Sequence, residues 1–429
     1  MSVPKWKISK LIDFTEFQSG WRILLLSTCG LLITATGSFL YAFGTLTIPL
    51  QKALGWSRAD IQPGLSCLFI GTIVAVQAVG WLNKRWGMRR VTLSSLVVMS
   101  AVLALMPAIV TAYGLKSFYA MCFLLPIAGL GTTPITWSNL VGCWFDRNRG
   151  LALALMLSGS GLAALIAPVA VTVAIQGWGW KAAFWVLASL PIGLAFPLAV
   201  WCMKLPQQTE VSHQARDENA SGDDGIPFSH AIRSARFWAI CLAVALPVGV
   251  TVLLIGSMVP LLRDKGLSAI VASQVFGSWG ISLVAGRLVI GYLFDRFWAP
   301  GIAALALTMP ALGCFLLLDA NHIGSLTFGV VLVATGAGAE LDIATYLVAR
   351  YFGMRDFGRT FGVQFSIATA SAAVAPVVSG GLYAATGSYG GMLMGCGVAF
   401  AIAGIILLSL GRYPKFGSVP NLTQRAEAL

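Results

Sequence analysis

Three ionisable side chains lie deep inside apolar runs of this sequence, where they could bind an anion or carry a proton. Arg287 stands in GSWGISLVAGRLVIGYLFDR, and Glu340 and Asp342 stand in TGAGAELDIATYLVARYFG. If the first run is a membrane helix, Arg287 lies about 12 Å from the charged end at Asp295, near the middle of a ~30 Å hydrocarbon layer. A charge at that depth is costly unless it faces a wet cavity or a partner, so it predicts a functional site. A structural ion pair between helices is the alternative.

The two carboxyl groups lie at similar depth, about 15 Å (Glu340) and 12 Å (Asp342) from the charged end at Arg350. At 3.6 residues per turn they point about 200° apart, so at most one of them faces a central cavity squarely. A carboxyl group this deep pairs with a cation or takes up a proton, because desolvation disfavours its charged form. We predict both as proton-coupling groups and favour Asp342 as the partner of Arg287. A fixed pair that only neutralises Arg287 is the alternative.

Uncharged polar side chains at comparable depth could complete a binding site around Arg287. Each of them serves helix packing or an interhelical hydrogen bond more often than ligand binding, except at Tyr41. The candidates are Tyr41, Thr45, Trp137, Asn139, Tyr346, Gln364 and Ser366.

The composition places these residues in a membrane protein. The chain is 57% hydrophobic and only 10% charged, whereas soluble domains are about a quarter charged. The net charge of +12 does not indicate a nucleic-acid partner, because the basic residues form short clusters between apolar runs. The eight cysteines also lie in apolar runs, so we expect free thiols and no metal site or cofactor.

Twelve apolar segments are long enough to cross a bilayer, which predicts an all-α polytopic protein with twelve transmembrane helices. The basic stretch before the first segment lacks a small-residue cleavage site and is expected to remain attached. The predicted spans are residues 22–49, 60–82, 91–112, 118–143, 151–175, 182–203, 237–261, 271–294, 301–319, 324–349, 360–384 and 389–411.

The distribution of Lys and Arg predicts the orientation. Of the 28 basic residues, 21 lie in the termini and the even-numbered connections, six lie in the odd-numbered connections, and Arg287 is left over. The positive-inside rule therefore predicts cytoplasmic termini. We expect a multi-pass protein of the plasma (inner) membrane.

The chain divides into two similar halves. Residues 206–227 are polar, contain five acids and lack aromatic residues, which predicts a flexible cytoplasmic linker. We predict one six-helix bundle over residues 1–205, a linker over 206–232 and a second six-helix bundle over 233–429. GWLNKR ends the second span and GYLFDR ends the eighth. Two repeats about a central loop are typical of transporters with a binding site at the membrane midplane.

These motifs carry a family resemblance. GWLNKRWGMRR, between the second and third spans, resembles the loop signature of the major facilitator superfamily, and GYLFDR resembles a weaker copy. YAFGTLTIPLQKALGWSRADI, WFDRNRGLALALMLSGSGL and GRLVIGYLFDR are similar to the monocarboxylate porter and oxalate:formate antiporter branch. The resemblance implies the major facilitator fold and assigns substrate-carboxylate binding to Arg287. It also implies a conformational role for the signature residues Gly80, Asn83, Arg85, Gly87, Arg89, Arg90, Gly291, Asp295 and Arg296.

The departures from the branch concern its charged residues. Asn83 replaces the signature acid, and Leu283 stands where animal monocarboxylate porters carry an aspartate one turn before the arginine. Their lysine in the first span, and the lysine of oxalate porters in the eleventh, also have no counterpart here. A lone Arg287 indicates a substrate group with a single charge.

Together, the residues and the resemblance predict a secondary active transporter of small organic anions. Monocarboxylates are the first choice, with aromatic acids or dicarboxylates as variants, and a proton symport or an anion antiport is expected. One alternative is a proton-driven exporter of drug-like compounds, although its usual Gly-Pro motif reads Ala167-Pro168 here. The other is a non-transporting membrane sensor, which usually adds a long cytoplasmic extension. We expect a monomer that is not an enzyme, because the sequence has neither HExxH nor GxSxG.

Overall fold

The computed structural model describes residues 14–145, 148–203, 225–294, 296–338, 340–353, 355–411 and 413. Within these ranges the regular structure is helical, apart from an isolated bridge between Gly225 and Gly353.

The first half of the chain forms six membrane-crossing segments, which we call spans 1 to 6. Three of them change helix type or break along their length, which places irregular backbone inside the bundle. Span 1 comprises Phe14–Leu32, the π-helical turn Ala35–Phe39 and Leu40–Leu54; a short helix, Arg58–Ile61, leads into span 2, Pro63–Trp86; span 3 is Met88–Tyr113; span 4 comprises Leu115–Ala128, the 3₁₀ turn Leu130–Thr132 and Pro134–Gly142; span 5 is Arg149–Trp178; span 6 comprises Trp180–Leu190, the π-helical turn Pro191–Ala195 and Phe196–Cys202.

The second half forms spans 7 to 12 after a short helix, Phe228–Ala231. Span 7 is Ala235–Asp264, span 8 is Ala269–Phe294, span 9 is Ala299–Asp319, span 10 comprises Ile323–Ala337 and Glu340–Phe352, span 11 is Phe357–Thr386 and span 12 is Gly390–Ser409.

The predicted membrane architecture is confirmed. Ten helices of the described chain are long and apolar enough to cross a bilayer, and the two parts of span 1, bent by 46°, form an eleventh crossing. The apolar helix Leu115–Ala128 and its continuation to Gly142 occupy the range predicted for the fourth span. The largest difference from the predicted bounds is in span 1, which extends beyond residues 22–49 at both ends.

Successive spans are joined by tight turns. Gly114 and Gly179 each form the whole connection between two helices, and both have positive φ angles, 72° and 80°. A side chain would be strained in this conformation, so glycine permits the immediate reversal. We call the end of the bundle that holds these odd-numbered connections the distal face, and the opposite end, where the chain enters span 1, the terminal face.

The two halves pack through spans 1, 2 and 5 on one side and spans 7, 11 and 8 on the other. Spans 5 and 8 approach most closely where Gly161 faces Gly280, because a Cβ on Gly280 would overlap the Gly161 carbonyl oxygen. Gly159 lies equally close to the backbone of span 1 at Thr28. Small residues at these contacts explain how apolar helices associate in a membrane.

Part of the predicted linker is attached to the second half. The backbone N–H of Ile226 donates to the Phe352 carbonyl (2.8 Å), and that of Phe228 donates to the Asp356 carboxylate (2.9 Å). Residues 225–232 therefore lie against the connection between spans 10 and 11, whereas residues 206–224 lie outside the described residues. The division into bundles at residues 205 and 233 stays a prediction.

Candidate functional site

Arg287 joins three helices near the middle of the bundle. Its Nε donates to the Gly338 carbonyl oxygen (2.9 Å) and lies 3.2 Å from Oδ2 of Asp342, both in span 10. Its Nη1 donates to the Leu157 carbonyl oxygen of span 5 at 3.4 Å. The Arg287 side chain is 19% exposed and that of Asp342 is 44% exposed. The guanidinium is thus held by one carboxylate and two backbone carbonyls, with solvent access from the side of Asp342.

Spans 8 and 10 pack closely enough for this arrangement. The carbonyl oxygen of Gly338 in span 10 accepts from Arg287, one turn before Asp342. Gly286 lets spans 8 and 10 approach, since a Cβ there would overlap the Thr335 carbonyl.

The two acids of span 10 occupy different environments. Asp342 is partly exposed and pairs with Arg287, as their common depth predicts. Glu340 is 6% exposed and accepts a hydrogen bond from the Thr251 hydroxyl of span 7. This separation matches the 200° between their directions on the helix. Thr251 was not predicted from the sequence, because a single threonine in an apolar span carries no recognisable signal.

Tyr41 is the candidate residue of span 1, in the first half of the chain, that packs against span 8. It is buried and lies within the range of electrostatic interaction with Arg287 and Glu340. Its ring centroid is 6.5 Å from that of Phe276 in span 8. Tyr41 lies two residues after the π-helical turn of span 1, an irregularity that often marks functional sites.

Thr45 and Trp137 serve packing in this conformation. The Thr45 hydroxyl donates to Ala42 of its own helix at 2.5 Å. Trp137 is fully buried, and its Nε1 donates to the Thr132 carbonyl at 2.9 Å within the broken span 4. Helix packing is the alternative that was expected to be more frequent at these positions.

Tyr346, Asn139 and Gln364 are not brought into contact with Arg287. The Tyr346 hydroxyl donates to the Phe294 carbonyl (3.3 Å) and accepts from Arg350, nearer the terminal face. Asn139 is exposed. Gln364 is fully buried, and neither of its amide atoms has a hydrogen-bond partner among the described residues. Their proposed substrate contacts stay predictions.

The signature residues between spans 2 and 3 lie at the terminal face. Arg89 donates to the Val200 carbonyl at the end of span 6 (2.9 Å), and Arg85 lies over the ring of Trp81 at 5.3 Å. Gly87 has a φ of 80°, and Gly80 and Arg90 are exposed. The side-chain oxygen of Asn83 is buried and has no hydrogen-bond partner in the described part of the chain.

The second copy of the signature is described in part. Arg296 lies over the Tyr292 ring at 4.3 Å, and Gly291 is exposed. Asp295 lies outside the described residues. The conformational role of both copies stays a prediction.

A second Arg–Asp pair, which sequence reasoning missed, joins the two halves at the distal face. Arg58 donates from Nη1 and Nη2 to the two carboxylate oxygens of Asp264, at 2.6 and 2.8 Å. It also donates to the Tyr389 hydroxyl at 3.2 Å and lies 4.7 Å from the Tyr383 ring centroid. We call these four residues the distal clamp. No sequence spacing signals it, because its ion pair joins residues 206 positions apart.

Further contacts join the two halves on the side of the distal clamp that faces the middle of the bundle. Gln62 of the first half donates to the Gly256 carbonyl (3.4 Å), and the Thr172 and Ser273 hydroxyls lie 2.7 Å apart. Near the terminal face, by contrast, a cavity of about 560 Å³ lies between spans 2 and 11, lined in part by Gln77 and Arg359. The conformation is therefore closed at the distal face.

Comparisons with known proteins agree with this architecture. A family model described as Major Facilitator Superfamily matches residues 27–339. Monocarboxylate transporter 12 of Rattus norvegicus is 22% identical over 473 residues, covering 98% of this chain and 92% of the relative. A gentisate transporter of Corynebacterium glutamicum is 22% identical over 415 residues, with 94% and 90% covered. A gallate transporter of Pseudomonas putida is 24% identical over 384 residues, with 80% and 84% covered.

A solved structure shows the same fold. The crystal structure of a D-xylose-proton symporter superposes with a TM-score of 0.72 at 12% sequence identity, and the match covers 93% of this chain and 99% of that one. At this identity the likeness concerns the arrangement of helices alone.

Proposed function

The chain belongs to the major facilitator superfamily and is a secondary transporter, and we propose that it carries small organic anions, aromatic monocarboxylates above all. The single observation that carries this proposal is Arg287, a part-buried guanidinium of span 8 that contacts span 10 and has solvent access beside Asp342. Relatives whose names specify gentisate, gallate and monocarboxylates support the substrate class.

Substrate binding is an exchange of carboxylates at Arg287. A guanidinium presents a planar fork of donors that fits a carboxylate through two parallel hydrogen bonds. Asp342 touches only Nε, at 3.2 Å, so it occupies the fork incompletely. An incoming carboxylate that makes both bonds displaces Asp342, while the carbonyl of Gly338 continues to orient the guanidinium.

The displaced aspartate supplies the coupling to protons. With one cation and two carboxylates the loaded site would carry a negative charge inside the membrane, which is costly. Protonation of Asp342 restores neutrality, so one proton moves with each substrate carboxylate. Glu340 is buried against the neutral Thr251 hydroxyl, away from the Arg287 fork, and keeps one protonation state through the cycle.

Aromatic side chains of spans 1 and 8, on the distal side of Arg287, support substrates with a ring. The ring centroid of Phe276 lies 6.5 Å from that of Tyr41 and 5.7 Å from that of Trp279. Offset and tilted contacts at such distances are the geometry in which aromatic groups attract one another. An aromatic acid with its carboxylate on Arg287 would extend its ring toward this group.

Transport proceeds by alternating access between the faces. The positive-inside distribution assigns the terminal face to the cytoplasm, so the conformation closed at the distal face is the one that faces the cytoplasm. Arg287 reaches Leu157 of the other half, which supports substrate exchange at the surface between the halves.

Thermal unfolding of the purified protein in a panel of carboxylates tests the substrate class. Benzoate, gentisate, gallate, lactate and oxalate are compared with the neutral analogue benzamide. A ligand at 100 times its Kd stabilises by about 2.7 kcal/mol, so the aromatic monocarboxylates should raise Tm by a few degrees and benzamide should not. The Arg287→Gln variant serves as the control and should lose the shift. Equal stabilisation of that variant, or by benzamide, would contradict the proposal.

A further inference from the structure

We propose that Arg58 is a second carboxylate-binding residue, which captures the substrate anion at the distal face and which Asp264 fills while that face is closed. The ligand class, an aromatic monocarboxylate, rests on the proposed function. The binding position itself is inferred from the distal clamp.

The clamp has the geometry of a carboxylate site. Arg58 makes two short parallel hydrogen bonds to Asp264, at 2.6 and 2.8 Å, which is the arrangement a guanidinium adopts with a bound carboxylate. Its guanidinium carbon lies 4.7 and 5.6 Å from the ring centroids of Tyr383 and Tyr389, within the range of cation–π contact. The Arg58 side chain is only 11% exposed, so the fork is desolvated as well as oriented.

Neither Asp60 nor Tyr389 replaces Asp264 as the anion of the clamp. Asp60 accepts hydrogen bonds from the backbone and hydroxyl of Ser57, at 3.0 and 2.6 Å, as part of the cap of a short helix. Burial raises the pKa of Tyr389 to about 12 although Arg58 lies beside it, so this phenol stays neutral. Asp264 is therefore the anion that the clamp holds.

The occupant of the fork comes from the opposite half of the molecule. Arg58 follows span 1, whereas Asp264 ends span 7 and both tyrosines flank the connection between spans 11 and 12. When the distal face opens, Asp264 moves away with its half and leaves a guanidinium without a counter-charge at the mouth of the cleft. A substrate carboxylate that enters from the distal side can then take the two bonds that Asp264 released.

Substrate and Asp264 thus compete for the same two donors. Occupation of Arg58 by a carboxylate from the medium disfavours reclosure of the clamp until the anion moves on toward Arg287. A cation at the mouth of a cleft also raises the local concentration of anions. Arg58 would therefore lower the KM for uptake from the distal side.

Uptake of radiolabelled benzoate and gentisate by intact cells tests this proposal, with Arg58→Gln and Asp264→Asn compared. Both variants break the ion pair, but only Asp264→Asn leaves the guanidinium in place. We expect Asp264→Asn to lower KM a few-fold and Arg58→Gln to raise it about tenfold, since hydrogen bonds to charged groups contribute strongly. Arg263→Gln, which removes a neighbouring charge of the same face, is the matched control and should leave KM within about twofold.

A clamp that only closes the face would behave differently. Loss of either partner would then favour the open face equally, and both variants would shift KM in the same direction, which would overturn the proposal. If wild-type cells take up neither carboxylate, the proposed function fails instead.

A second measurement shows that the variants are folded and the clamp is released. Ser257 is fully buried and lies beside Gln62 at the surface between the halves, within reach of its side chain. A cysteine at position 257 should react faster with a membrane-impermeant thiol reagent in both variants than in the parent, with the wild-type chain as the background. If Arg58→Gln does not insert, Arg58→Lys replaces it, because lysine keeps the charge without the fork. An unchanged KM in Arg58→Lys, or a raised KM in Asp264→Asn, would overturn the proposal.

Discussion

Two Arg–Asp pairs lie at different levels of this protein, one at the distal face and one in the middle of the bundle. Arg58 and Asp264 come from opposite halves and are joined by two short bonds between tyrosine rings. Arg287 and Asp342 both belong to the second half, and they make one contact at 3.2 Å. The carboxylates are similarly exposed, 39% for Asp264 and 44% for Asp342.

The two pairs have the same residue types but differ in what they join: one connects the two halves, and the other lies within one half. A bidentate pair across the halves must break whenever the distal face opens, so its free energy enters the equilibrium between conformations. A single contact within one half can exchange its carboxylate without any movement of the halves. In both proposals the arginine exchanges its aspartate for a substrate carboxylate, but only at the distal clamp does this exchange require the halves to move apart.

The largest effect is expected from Arg287→Lys. Lysine keeps the charge but loses the planar fork, and a charge-assisted hydrogen bond is worth about 1.5–3 kcal/mol. We expect kcat/KM for carboxylate uptake to fall by roughly 10- to 100-fold, measured at matched expression in the membrane. Unchanged affinity in a normally inserted variant would make Arg287 a structural counter-ion and remove the contrast between the pairs.

Asp342→Asn should separate two modes of transport. Accumulation driven by a pH gradient in proteoliposomes should be lost, whereas exchange of substrate for substrate should persist because it requires no net change in protonation. Glu340→Gln is the matched control on the same helix and should have the smaller effect, since its amide can still accept from Thr251. Intact accumulation in both single variants and in the double variant would exclude span 10 from coupling.

Reversal of the charges should affect the two pairs differently. Arg58→Asp and Asp264→Arg each place like charges together, and the double variant should restore slow labelling of a cysteine at position 257. Pairwise coupling energies of about 0.5–3 kcal/mol are typical of residues in contact. The corresponding reversal of Arg287 and Asp342 should not restore transport, because backbone carbonyls hold the guanidinium in its place. Restored uptake after that reversal would show that the two pairs are equivalent.

The smallest effect on transport is expected from probes of orientation, which decide which compartment the distal clamp faces. An epitope inserted within residues 206–227 should be reached by antibody only after the membrane is permeabilised. A cysteine at Lys181, an exposed position of the distal face, should react with an impermeant reagent in intact cells. Both the epitope insertion and the cysteine substitution should leave uptake nearly unchanged. Labelling of the linker in intact cells would invert the assignment of the faces.

Much of the candidate site in span 10 and span 8 follows from local patterns. Arg287 and Asp342 are recognisable because each interrupts an apolar run, and their common depth places them together once the helices are known to cross a membrane. The roles of Trp137 and Tyr346 could not be read in the same way. Depth alone does not say toward which neighbour a helix turns a given side chain, and the structure turns both of them away from Arg287.

The sequence by itself determined the twelve crossings, the membrane class and the level of the buried charges, because hydropathy and helical rise act along the chain. Tertiary structure alone decided which residues meet across the halves. Arg58 and Asp264 are joined only because spans 1 and 7 pack against each other at the distal face. Thr251 reaches Glu340 only because span 7 lies beside span 10. Such contacts depend on helix rotation and packing between distant segments, for which periodicity within one segment contains no information.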